Sequence, residues 1–555
     1  MTVQPSTQAA SVLAAATAGR YGENGPAKRH RARNADWLAL AGRWAGPIGV
    51  TLLALVLRLW KLGTPHKLMF DETYYVKDAY SLLTNGYELN WEEGDVANPL
   101  FEAGDFSGQL DTAAYVVHPP VGKWLIGLGM WLFGPESSFG WRFAPAIFGT
   151  LGVWLTILIG WRLFQSQALG LLAGLLLAVD GIALVLSRSG LLDIFLMTFA
   201  LLALWLILKD RAVMDRRLER RMRLVSGHGS TGAPIYQSQA LAGGPGLGMR
   251  WYLLGAGVAL GLACGVKWSG LYFLAVYGLL VVAWDAAARR RAGAKAWAWA
   301  AVWRDGLKAF VLLVPVALAT YVSSWAGWLS SKGGYFRDWA SLHPDEGPTW
   351  LPGALRSLIA YHKEAWGFHT SLTSPHDSQS SPALWLVQAR PTSFFYETAE
   401  TCGADSCSQA VTALGNPLIW WIGVLALGLV LYQAVVWADR RAWVILCGYL
   451  AGYAPWLFFS QRTIFTFYTV AFVPFVTLAL AYGAGVLIGP ARPAAFGGAV
   501  FRALWRRLGN SGFGAVVYET WLYRRPMAVL VVGVAVTLML FVSAFFWPIW
   551  TAQSV

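Results

Sequence analysis

Apolar residues run in long blocks through this chain, and polar residues collect between them in short, sharply placed groups. A helix needs about 20 apolar residues to cross a bilayer, with about 17 tolerable. By that measure the blocks predict spans near 46–62, 141–163, 167–186, 190–208, 251–267, 270–287, 307–329, 416–437, 441–460, 464–488 and 527–549. That makes about eleven transmembrane helices. The stretch from Pro119 to Phe133 is apolar but short and begins with His118-Pro119-Pro120. It is expected to be an interfacial helix lying on the membrane surface.

The charges orient these spans. With the basic N-terminal segment (Arg29, Arg31, Arg33) inside, alternation places the Arg-rich loop 209–250 inside. Arg289-Arg290-Arg291, Arg440-Arg441 and the loop carrying Arg502, Arg506, Arg507, Arg524 and Arg525 fall inside too. The stretch 63–140 falls outside and has no Arg, but carries Asp71, Glu72, Asp78, Glu92, Glu93, Asp95, Asp105 and Asp111. Counting 119–133 as a span would turn every later basic loop outward, against the positive-inside rule. The expected organisation is therefore a disordered cytoplasmic tail (1–45), a membrane domain (46–488), a basic cytoplasmic loop (489–526), and a last span with an external C-terminus (527–555). The membrane domain carries two large external loops, 63–140 and 330–415.

Composition agrees: the chain is 56% hydrophobic with a mean hydropathy of +0.47, which excludes a soluble globular protein of this size. The net charge of +13 belongs to the inner loops rather than to nucleic-acid binding. The 31 Trp and 21 Tyr suit interfacial belts and sugar-stacking platforms. Cys264 and Cys447 lie in apolar runs and read as inert core residues. Cys402 and Cys407 sit in a polar loop and are a candidate disulfide in an oxidising compartment.

This topology gathers the unusual polar groups on one face. Asp71 and Glu72 follow the first span among apolar and aromatic neighbours, so their proton affinity is expected to rise, which suits a general base. Five isolated cations end apolar runs on the same face: Lys123, Arg142, Arg188, Lys267 and Arg462. Snorkelling explains any one of them; five on the cation-poor side suggest a phosphate-binding set. Asp193 is a carboxylate inside a span, expected to pair with Arg188 or Lys267 or to contact substrate. The loop 330–415 contains His369 and Trp385, candidates for acceptor or sugar recognition. Its histidines match no zinc spacing, so no metal site is expected. Walker, GxGxxG-plus-acid and HExxH motifs are absent.

Phe70-Asp71-Glu72-Thr73-Tyr74-Tyr75, His118-Pro119-Pro120-Val121-Gly122-Lys123, Ser187-Arg188-Ser189-Gly190-Leu191-Leu192-Asp193 and Lys267-Trp268-Ser269-Gly270-Leu271 occur in that order. The set closely resembles the protein O-mannosyltransferases in their actinobacterial form, over roughly residues 45–490. The resemblance implies an all-α polytopic protein of GT-C glycosyltransferase fold, needing no further cofactor. It implies a polyprenyl-phosphate-mannose donor and Ser/Thr acceptors on secreted proteins, with the Sec translocon a candidate partner and the bacterial plasma membrane the location. It maps the family's acidic pair onto Asp71 and Glu72 and its arginine onto Arg142. It adds Arg462 and Tyr468 near the donor, and Tyr75 and His118 near the sugar or acceptor. Loop 330–415 is too short for the β-trefoil domains of eukaryotic members. The competing readings are another lipid-phosphate sugar transferase (aminoarabinose or arabinose), a metal-dependent oligosaccharyltransferase, or a transporter; no internal repeat of the transporter kind is visible.

Overall fold

The computed structural model describes residues 26–225, 242–399, 402, 406–489 and 512–554. The expected tail up to residue 25, the middle of loop 209–250, and the basic loop with Arg502, Arg506 and Arg507 lie outside the described residues. The chain divides after Gly49 into two units. The first contributes the opening part of α1 (Pro26–Leu59); the second, from Val50, is a helical body.

After α1 come α2 (Glu72–Asn85), α3 (Gly94–Glu102) and α4 (Val121–Phe133), then α5 (Ser138–Phe164), α6 (Gln167–Val179) and α7 (Gly181–Ser187). The centre is α8 (Asp193–Val225), packed between α5 and α9 (Trp251–Val266). Next follow α10 (Gly270–Arg291) and α11 (Leu307–Ser324), the latter entered through a π-helical turn, Ala300–Gly306. A surface helix, α12 (Gly353–Ser371), precedes α13 (Pro417–Val436), α14 (Arg440–Gly452), α15 (Val473–Ile488) and α16 (Gly512–Trp550).

Among the described residues, six helices are long and apolar enough to cross a membrane, or seven if α6 and α7 form one bent span. The count of eleven is thus not reproduced by length and composition, for local reasons. The block 167–186 breaks at Asp180, where α6 and α7 meet at 62°. The block 441–460 stops as a helix at Gly452, and the block 464–488 opens with a 3₁₀ turn, Thr466–Ala471. Helix α4 has 13 residues, about 20 Å of rise against a hydrocarbon core of about 30 Å. It packs on α2 and α5 and leaves Trp131 72% exposed.

Packing is closest where side chains are smallest. Gly257 and Gly261 on α9 face the backbone of α11, and a Cβ at Gly261 would meet Ala317 O at 2.6 Å. That is the small-residue spacing by which helices approach in lipid. The bend at Asp180 is satisfied rather than loose. Its carboxylate accepts from Ala183 N (3.2 Å), Asn416 N (3.1 Å) and Trp420 Nε1 (2.9 Å). Asn416 in turn donates to Met539 O and Ser543 Oγ on α16, both at 2.7 Å. A broken helix is tolerated inside a bundle when its freed polar groups are met in this way.

Two small sheets accompany the helices. In the first, β1 (Leu89–Trp91) pairs with β2 (Gln109–Ala113); in the second, β3 (Thr392–Ala399) pairs antiparallel with β4 (Cys407–Ala413). Cys402 is disulfide-bonded to Cys407, the first residue of β4. Cys264 and Cys447 are free and buried.

Candidate active site

Phe70 adopts φ +50° just before α2, a left-handed conformation that costs a bulky residue about 1 kcal/mol. The turn sends the two neighbouring acids in different directions. Glu72 goes inward and is fully buried. It accepts from Met69 N (2.9 Å), Gly190 N (2.6 Å), and Arg142 Nε and Nη2 (2.8 Å each). Asp71 stays partly exposed at the head of α2, and its side chain caps nothing. Among the described residues its carboxylate has one hydrogen bond, a long one from the Tyr75 hydroxyl at 3.5 Å. Burial raises the Asp71 carboxyl to about 6, the charge of Asp193 adding to this and Lys267 opposing it.

Beside this acid lies a cavity of about 250 Å³. Its lining includes the ionisable residues His118, Asp193, Lys267, His369, Arg462 and Tyr468, together with the hydroxyl residues Ser269, Tyr272 and Thr370. Lys267, at the end of α9, donates to Asp193 at the start of α8 (2.8 Å) and sits 5.2 Å from the Tyr468 ring. His369 on α12 bonds Val117 O through Nε2 at 3.0 Å. That fixes Nδ1 as the acceptor for Arg462 Nη2, 3.1 Å away. Burial lowers His369 to about 4, with Arg462 adding to the fall, so the ring is neutral near pH 7. His118 is likewise held neutral, chiefly by burial and then by the surrounding cations. Among the described residues, two buried nitrogens at this cavity have no partner: Arg462 Nε and His118 Nδ1. Such atoms cost free energy unless something bonds to them. Much of the rest of the lining is apolar or aromatic, including Leu271, Phe459, Trp268, Trp366 and Trp456.

Asp71, Tyr75, His118, Asp193, Lys267, His369, Arg462 and Tyr468 are thus gathered. Five other candidates are engaged elsewhere. Arg142 uses all five N–H groups, three of them on Leu62 O, Pro65 O and Lys67 O and two on Glu72. It has none left for a phosphate. Glu72 is likewise spent and positions the turn. Arg188 donates to the carbonyls of Leu57, Arg58, Trp60 and Lys61, closing the end of α1. Lys123 is fully buried and ion-paired with Glu88 and Asp78. Trp385 is also fully buried, with Nε1 on Ser380 O, and stands behind Trp456 and Tyr468. The sequence signal for Glu88 was present but unread: a lysine inside an apolar helix requires an acid on a neighbour. Among the described residues no group of three His, Cys, Asp or Glu side chains is placed to hold a metal ion.

Comparison with known proteins bears on this geometry. Residues 117–224 match the family model for dolichyl-phosphate-mannose-protein mannosyltransferase. Residues 354–553 match the C-terminal four-TMM region of protein-O-mannosyltransferase. The polyprenol-phosphate-mannose–protein mannosyltransferase of Mycolicibacterium smegmatis is 36% identical over 79% of this chain and 81% of its own length. Those of Mycobacterium tuberculosis and Corynebacterium glutamicum are 34% and 33% identical, over 79% of this chain and 80% and 82% of theirs. The fold matches the S. cerevisiae protein O-mannosyltransferase Pmt1–Pmt2 complex bound to the sugar donor. There the TM-score is 0.63 at 14% identity, over 92% of this chain and 90% of that one.

Proposed function

The chain belongs to the polyprenol-phosphate-mannose–protein mannosyltransferase family, and from that premise we propose how its site performs the transfer. It is a multi-pass membrane enzyme of GT-C fold that transfers mannose from polyprenyl-phosphate-mannose to protein. The acceptors are Ser and Thr hydroxyls of secreted chains, taken at the outer face of the plasma membrane as the Sec translocon delivers them. The N-terminus is cytoplasmic, and the site and C-terminus are external.

Lys267 and the unspent edge of Arg462 hold the donor phosphate at the cavity. The apolar lining beyond them takes the start of the prenyl chain. His118 Nδ1 and the aromatic ring of Tyr468 face the mannose. Asp71 accepts the proton of the acceptor hydroxyl while its oxygen bonds to C1 of mannose. The C1–O bond to phosphate breaks, and the prenyl phosphate leaves with its charge already balanced by the two cations, so no acid is needed. One displacement inverts C1, turning a β-linked donor into an α-linked product.

The observation that carries this reading is an uncommitted carboxylate, raised toward neutrality, beside a cavity whose two cations retain bonding capacity. Asp71→Asn in native membranes tests it. Transfer to a Ser/Thr peptide is expected to fall roughly 10²–10⁴-fold, with donor binding retained. Near-parental transfer would remove Asp71 from the role.

A further inference from the structure

Strand β3 has an edge without a further strand, exposed at Ser393 and over 396–398, close to the proposed base. Its sole strand partner among the described residues is β4, and no other backbone hydrogen bond leaves Thr392–Tyr396. β4 is packed against α7 and α16, so β3 is the outer strand. Its register with β4 breaks between Ser393 and Phe395. At that break Phe394 turns onto Phe70, ring over ring at 4.9 Å and 4°. Phe70 is the residue before Asp71. Irregularities of this kind commonly re-aim a side chain next to a site. Lys, which often blunts exposed edges, is absent from the strand, and Pro391 stands just before it. Tyr396 is 66% exposed.

A second feature adjoins the same edge. An open recess of about 650 Å³ is lined by Pro375, His376, Asp377, Gln379, Ser381 and Arg390. It touches the start of β3 through Arg390, and His376 meets Phe70 edge-on at 5.9 Å. The mannosyl cavity does not include these residues. The edge and the recess therefore both adjoin Phe70, the residue before Asp71, and neither belongs to the donor cavity.

We infer that β3 is the acceptor-docking strand: the acceptor polypeptide adds to its free edge as a third, extended strand. The target hydroxyl is thereby held over Asp71, and a flanking acceptor side chain enters the Pro375–Arg390 recess. Strand addition reads the backbone, so it accepts many sequences, and every second side chain points the same way. An extended chain is also the form in which a polypeptide emerges before folding. The inference rests on the mannosyl-transfer reading and specifies how that reading's acceptor is held.

The test uses the unaltered full-length enzyme, polyprenyl-phosphate-mannose, and one Ser/Thr peptide synthesised with a single N-methyl group at each backbone nitrogen in turn. Strand addition expects a period of two along the peptide. Methylation at bonded positions raises the peptide KM roughly tenfold, while methylation at the positions between leaves it near parental. A photoreactive residue in the same peptide is expected to label Tyr396 or its neighbours. A flat profile, or a contiguous block of sensitive positions, overturns the strand proposal while transfer itself stands. Failure of any Ser/Thr peptide to accept mannose overturns the transfer reading and this inference together.

Discussion

Helices α8 and α9 carry buried charge near both ends of their apolar runs, α10 adds to one of them, and the two ends are not alike. At one end Asp193 meets Lys267 at the cavity. At the other, Arg250 donates to Asp210 (2.9 Å through Nε) and Asp285 (2.6 Å). There Arg211 joins Asp285 at 2.9 Å and pairs with Asp215, and Arg289 holds Asp305 at 2.9 Å. Asp193 and Asp210 are seventeen positions apart on α8, about 26 Å along a helix. That distance is close to a bilayer's apolar thickness. The far cluster is a lattice of cations shared between aspartates; among the described residues its unpartnered atoms are Asp210 Oδ1 and the Nε of the adjoining Arg304. The near one opens on a cavity and keeps an unpartnered guanidinium nitrogen, an unpartnered imidazole nitrogen and an almost free carboxylate. Burial of charge does not by itself mark the site. Bonding capacity left over beside empty space does.

The sharpest way to break that contrast is to remove one cation from each kind of place. Arg250→Leu strands the buried Asp210 and leaves Asp285 with only Arg211 among the described residues. Removing one partner of such a pair costs about 3–5 kcal/mol. The expected result is a large drop in thermal midpoint and membrane yield, with an unchanged donor KM in whatever protein survives. Arg142→Leu belongs with it although it lies near the active site, because it strands Glu72, which is fully buried. A selective rise in donor KM with a parental midpoint would show that Arg142 works on substrate after all.

Arg462→Ala is expected to do the reverse. This arginine makes one side-chain hydrogen bond, to His369, so its loss should leave the thermal midpoint close to parental. A bond to a charged partner is worth about 1.5–3 kcal/mol, so donor KM should rise roughly 10- to 100-fold. Titrating donor at saturating peptide, alongside a thermal-shift measurement, separates the two outcomes. An unstable protein with parental KM would move Arg462 into the same class as Arg142.

The same distinction explains what could be read from the residues alone. The convergence of Asp71, Lys267 and Arg462 was legible, because charge at the end of an apolar run is costly and its position is fixed by the run. Which cations were already spent was not legible. Arg142 is consumed by carbonyls of Leu62, Pro65 and Lys67, and a carbonyl's direction depends on tertiary folding, not residue type. Lys123 is consumed by Glu88, 35 positions earlier. The broken spans were missed because Asp180 and Gly452 interrupt runs that remain apolar in composition. The β3–β4 hairpin was missed because its strands lie in a loop rich in Ser, Thr and Pro, where period-two alternation is weak.

The smallest effect, and the one most particular to the near end, is pH dependence. Asp71 stands at about 6 in the folded protein, against about 3.9 for an unperturbed Asp. As a base it works when deprotonated, so transfer should fall as pH drops: about twofold from pH 7 to 6 and about tenfold from 7 to 5. Stability runs the opposite way for this group. Between about pH 4 and 6 the folded chain holds a proton that the unfolded chain has released, so the group's contribution to stability declines as pH rises through that window. Asp71→Asn, which cannot titrate, should therefore match or exceed parental stability at pH 7 and lose the acid limb from its residual rate. His369, held near 4 and neutral, contributes no limb between 5 and 7. If the limb persisted unchanged in Asp71→Asn, another group would be the base, and Asp193, already paired with Lys267, would be the next to examine.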